Sequence, residues 1–133
     1  MMKLYRGPAL PADQTALVES GAHTHITRCD GLKITSLKAA VLPGEHVLEM
    51  APAEEGQPYR GYLFHSTVTG SVGFDAEAGH AYTVHVDIVT ASTPVDEGGS
   101  GYEWIGYVRD RSSGKVVAST VSLPLEAYPM LPR

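Results

Sequence analysis

In 133 residues the chain has one cysteine, one tryptophan, two phenylalanines and no asparagine. With Cys29 alone, no disulfide can form within the chain, although this does not fix its redox compartment. The absence of asparagine removes any N-glycosylation acceptor. No apolar run approaches the ~20 residues that a membrane helix needs. No signal-peptide pattern is present in these residues. Membrane attachment is therefore expected only through a lipid anchor, if the natural N-terminus carries one. Basic residues are few, ten against fifteen acidic ones, for a net charge of −5. They never cluster: the densest pair, Arg109 and Arg111, flanks an aspartate. A nucleic-acid partner is excluded on this ground, because counterion release needs a patch of Lys and Arg. Glycine-rich phosphate cradles are missing too, with no G-x-x-x-x-G-K and no G-x-G-x-x-G ahead of a helix.

What is present is dense, regular punctuation. The length suits one domain, residues 1–133, since domains most often run to roughly 100–150 residues. Turn signals fall at Asp30-Gly31, Pro43-Gly44, Glu55-Gly56, Gly70, Gly79, Gly98-Gly99 and Ser113-Gly114. The stretches between them are short and rich in Val, Ile, Thr and Tyr, which predicts an all-β sandwich or barrel. In "HAYTVHVDIV", Tyr82, Val84, Val86 and Ile88 alternate with Thr83, His85 and Asp87, the period of a half-buried strand. "YEWIGYVRD" is a second strand, joined as a hairpin to "KVVASTVSL" by a turn with Gly114 in the left-handed position. "HITRCD" and "LKITS" flank the Asp30-Gly31 turn, and "EHVLEMA" is expected to pair backwards with "SLKAAVL". Only "PADQTALVES", 11–20, suggests a helix, of one or two turns and of 3₁₀ type, with Pro11 near its start and Gly21 beyond its end. The segment 124–133 is expected as an extended Pro-rich tail along the surface or across to a partner chain. The expected fold is thus a single antiparallel β-sandwich, transthyretin-like or immunoglobulin-like. It has seven or eight strands and at most one short N-terminal helix.

Five stretches occur in order: "LYRGPALPADQTALVES", "HITRCDG", "VLPGEHVLEM", "FDAEAGHAYTVHV" and "WIGYVRDRSSGKVVAS". Together they resemble small bacterial envelope proteins, mostly lipoproteins of unassigned function. The strand motifs also look like PEGA and carboxypeptidase-regulatory modules, which are transthyretin-like sandwiches. The resemblance covers most of 4–119. It implies export to the periplasm or cell envelope and a lipid anchor on an N-terminal cysteine, whereas this chain opens Met1-Met2. It implies no catalytic residues.

Six histidines are the leading candidates for chemistry. His46 and His80 each follow a turn and share parity with apolar residues, which points to rings packed at a strand entry and donating to a turn carbonyl. His23 and His25, read as one strand, project to the same face. A pair at i, i+2 can offer two nitrogens to zinc or copper, with further ligands from His85, Asp87 or His65. No cofactor motif is present, so zinc or copper on these surface histidines is the metal reading, set against a plain polar strand face. Cys29, before the Asp30-Gly31 turn, reads as a buried small hydrophobe rather than a nucleophile. Ser100 in "GGSGY" lacks the final glycine of a nucleophile elbow and precedes a strand rather than a helix. The acidic pairs Glu54-Glu55 and Asp96-Glu97 lie in loop-like stretches. Tyr102, Trp104 and Tyr107 make either core or an exposed aromatic platform for a sugar ring or a protein. The strand's two apolar sides hint at self-association as a homo-oligomer. The functional expectation is a non-enzymatic envelope protein that binds another protein or a wall component, with a metal-binding module and a hydrolase as alternatives.

Overall fold

A computed structural model describes residues 1–53, 62–66, 68–90 and 101–129, without the side chains of 62–65 and 127–129. The fold is an all-β sandwich. Its strands are β1 (Met2–Lys3), β2 (Ala16–Ser20), β3 (Thr24–Cys29), β4 (Leu32–Lys33), β5 (Lys38–Val41), β6 (Gly44–Pro52), β7 (Tyr62–His65), β8 (Gly70–Ala76), β9 (Ala81–Thr90), β10 (Tyr102–Asp110), β11 (Val116–Ser119), β12 (Leu123–Pro124) and β13 (Glu126–Pro129). One sheet runs β1-β5-β2-β9-β10-β11, with β12 also on β10; a second runs β4-β3-β6-β8, and β13 pairs with β7.

Alternation along each strand builds the layers. On β8, Gly70, Val72, Phe74 and Ala76 are buried while Ser71, Gly73 and Asp75 face out. On β10, Trp104, Gly106, Val108 and Asp110 take the dry side. Side chains from both sheets then form one core, including Val18, Ile26, Val41, Leu48, Met50, Phe74, Tyr82, Val84, Trp104 and Val108. The predicted hairpins form. Asp30 and Gly31 close β3 onto β4 with φ of +52° and +80°, the two positive values of a type I′ turn. Gly114 takes φ +73° between β10 and β11.

Three expectations are corrected and two are narrowed. The sheet is mixed: β2 runs parallel to β9, and β1 runs parallel to β5. After β2 the chain crosses to the second sheet for β3 and β4, returns beside β2 as β5, crosses again for β6 and β8, and comes back on the other side of β2 as β9, a connection long enough for parallel pairing. The strands number thirteen among the described residues, three of them only two residues long. "EHVLEMA" does not pair with "SLKAAVL": β6 lies between β3 and β8, whereas β5 lies between β1 and β2. The Pro43-Gly44 turn therefore joins two sheets rather than two neighbours. The 11–20 segment is a single 3₁₀ turn, Ala12–Gln14, followed by strand β2. Ala16 and Val18 are buried at a spacing of two, a strand period that overrides the helix-like punctuation. The described part of the tail is extended as expected, with Pro124 and Glu126 exposed, but it is not loose on the surface. It pairs with β10 and then with β7, and Leu125 is buried in the core.

Candidate functional site

Two histidine–carboxylate clusters stand at turns, and neither involves the residues that the sequence singles out for metal. The first is built on the Asp30-Gly31 turn. The Asp30 backbone N–H donates to Val47 O (2.8 Å), and its Oδ1 accepts the Val47 N–H (2.8 Å). This double tie to β6 holds a non-glycine residue at positive φ, which it would otherwise avoid. Asp30 Oδ2 meets His46 Nδ1 at 2.5 Å, and His46 Nε2 donates to Leu42 O at 2.6 Å. The expected turn-carbonyl contact of His46 is thus present, and both ring nitrogens are engaged. Partial burial pushes the Asp30 carboxyl up, but the hydrogen bonds from His46 and the Val47 amide outweigh it and leave it below the usual carboxylate value. Cys29, beside it, is buried, and burial together with the Asp30 charge pushes its thiol up to about 12. No thiolate is available there near neutral pH, so the nucleophile that a reactive cysteine needs is absent.

A lowered carboxyl is a statement about acid stability. The Asp30 contribution is present above its unfolded value of 3.8 and is lost as pH falls through the lower folded value. We expect Asp30→Asn to flatten part of the fall in melting temperature between about pH 4 and pH 2, the range below the unfolded value. The residual slope comes from Asp110, whose carboxyl is lowered as well. An unchanged acid limb in a thermal-melt pH series would contradict the clamp.

The second cluster joins the β8–β9 turn to the end of β10. His80 Nδ1 lies 2.8 Å from Asp110 Oδ2, and His80 Nε2 lies 3.2 Å from Glu77 Oε2. Asp110 is buried and also accepts the Ser112 N–H (2.9 Å). Burial alone would raise its carboxyl, but the bonds from His80 and Ser112 hold it low. The Asp110 hydrogen bond pushes His80 up by more than desolvation pushes it down. His80 therefore meets two carboxylates rather than the expected turn carbonyl. Asp110 has the parity of Val108 and Trp104, so a carboxylate on a dry face was the signal in the sequence that a partner must exist.

The residues read as a surface metal set are not brought together. His23 lies outside β3 at φ +57°, so it and His25 do not share a strand face as expected. His85 stacks on Tyr107 across the β9–β10 ladder (centroids 5.3 Å apart), and Asp87 is exposed two residues further on. Among the described residues, neither of the two groupings of ligand atoms contains His23, His25, His85 or Asp87. The side chain of His65, the acidic pairs Glu54-Glu55 and Asp96-Glu97, and Ser100 lie outside the described residues. Of the two aromatic readings, core holds for Trp104, while Tyr102 and Tyr107 are partly exposed. Trp104 is 0% exposed, and Tyr107 is held by His85 and by Arg109, whose guanidinium sits 5.7 Å from its ring centre.

No match to this chain is found among protein-family models, curated proteins or solved structures. Function must therefore be read from surfaces. A groove of about 980 Å³ lies beside the β3–β6 ladder. Thr27, Ser66 and Thr69 line it with hydroxyls, while Leu37, Pro52 and Val68 supply apolar walls. His25 is the one ionisable residue of its lining among the described residues. Sequence reasoning missed this groove because its walls come from four separate stretches of chain.

Proposed function

We propose that the chain is a non-enzymatic binding module of the cell envelope that holds a protein or wall component in the groove along β3 and β6. The observation that carries this reading is the groove's chemistry. Ligand sites are concave, mostly apolar, and of ~300–1,000 Å³, with a few polar groups that set orientation. This groove has that size and balance, and among the described residues its lining includes no carboxylate, lysine or arginine that would select a charged ligand. An uncharged, extended polymer segment suits it. The clusters argue against catalysis: Cys29 is held as a thiol, and His46 has both nitrogens engaged. The envelope location rests on the resemblance of the five ordered motifs.

The test is capture of envelope proteins and of purified cell-wall sacculi by the chain and by two groove variants. His25→Trp fills the groove from an exposed position, and Leu37→Arg places a charge on its exposed wall. Each should weaken capture by roughly tenfold, equivalent to about 1.4 kcal/mol. Capture unaffected by both variants would remove the groove from the reading. No capture in either arm would remove the binding function.

A further inference from the structure

We propose that His80 and Glu77 form a site for a divalent transition-metal ion of borderline softness, such as zinc, with Asp110 as the residue that positions the imidazole. The argument is one of donors and acceptors. Asp110 is buried and faces Nδ1, so it fixes the ring with Nδ1–H donating to the carboxylate. That leaves Nε2 with a lone pair, directed at the Glu77 carboxylate oxygen 3.2 Å away. Two acceptors at this separation need a cation between them or beside them, either a proton or a metal ion. A histidine that gives its second N–H to a carboxylate is the usual arrangement of a metal-bound imidazole, because the carboxylate sets the tautomer and raises the basicity of the ligating nitrogen.

The surroundings leave room for the rest of a coordination shell. The His80 and Glu77 side chains are 30% and 68% exposed, so water or an exogenous ligand can complete four-coordination from solvent. At that exposure the Glu77 side chain is free to swing from one oxygen to the other. The Cys29–Asp30–His46 cluster provides the contrast. Its ligand atoms also lie close together, yet His46 Nε2 is spent on Leu42 O and the thiol is protonated, so it offers no open nitrogen. The site at His80 is separate from the groove, and it stands or falls independently of the binding function proposed there.

The experiment is zinc titration of the metal-stripped full chain by calorimetry, paired with the ring-nitrogen NMR signals of the histidines. One ion should bind per chain, moving the His80 Nε2 resonance and leaving those of His23 and His25 in place. Glu77→Gln removes a ligand from an exposed position without disturbing the core, and it should weaken binding by about tenfold or more. Asp110→Asn should weaken it by roughly 10–100-fold, the range for losing the outer partner of a metal-bound histidine. His23→Ala and His25→Ala should bind zinc as the parent does. The proposal is overturned by the absence of saturable binding at millimolar zinc, by binding that survives Glu77→Gln at full strength, or by a shift confined to His23 and His25.

Discussion

Replacing Trp104 with alanine is expected to lower the unfolding free energy by about 3–5 kcal/mol, the range for truncating a buried aromatic. The indole is fully buried on β10, where it meets the second sheet. Two glycines create its space. A side-chain carbon on Gly70 would come within 2.8 Å of Trp104 Cη2, and one on Gly106 within 3.2 Å of Cζ3. Because the walls at those points are backbone, they cannot relax into the cavity that alanine would leave, which places the cost in the upper part of the range. The indole N–H donates to Ser66 Oγ (2.8 Å), and that hydroxyl donates on to Val68 O (2.8 Å). Trp104→Phe keeps most of the ring and loses this one bond while Ser66 remains a donor, so the hydrogen-bond share of its cost is about 1 kcal/mol. Urea unfolding monitored by circular dichroism separates the two variants, with the midpoint moving and the slope preserved. An alanine variant within 1 kcal/mol of the parent would mean that the ring does not fill the core.

The strands that carry this core were legible where one side of the ladder is wet. On β9 and β10 a period of two separates Tyr82, Val84, Trp104 and Val108 from Thr83, Asp87 and Arg109. The turns were legible where geometry demands a residue type, as at Asp30-Gly31 and Gly114. Partnership between strands was not, because pairing depends on which sheet a segment enters. Nothing in "VLPGEH" says that Val41 stays in one sheet while Gly44 opens a strand of the other. The helix reading of 11–20 held for one 3₁₀ turn, Ala12–Gln14, and stopped short at strand β2 for a related reason. Pro11 and Gly21 frame a helix as readily as a strand, and it was burial of Ala16 and Val18 between β5 and β9 that decided. For the sites, the positions of His46 and His80 at strand entries could be read, but Asp30 and Asp110 lie 16 and 30 residues from them and are joined to them only by the folded ladder. His23 was misplaced because alternation assumes a regular backbone, and the backbone there turns left-handed.

The second large effect is expected at Gly106, where alanine should destabilise the fold by about 1–3 kcal/mol through overpacking. A Cβ on Gly106 would overlap Met50 Sδ and press on Met50 Cγ, 3.1 Å away. Methionine is flexible, but Met50 is 0% exposed and hemmed in by the same core, so its thioether has no void to move into. The glycine is thus kept on β10 by the methionine on β6, across the two sheets. This makes the cost conditional and therefore testable in a cycle. Met50→Ala alone should cost about 2–5 kcal/mol as a cavity. In the double variant the new methyl occupies part of that cavity, so the two losses should sum to less than their separate values, with a coupling of at least about 0.5 kcal/mol. Strict additivity would show that Gly106 is required by its own backbone rather than by Met50. The inter-sheet packing described here would then lose its central contact.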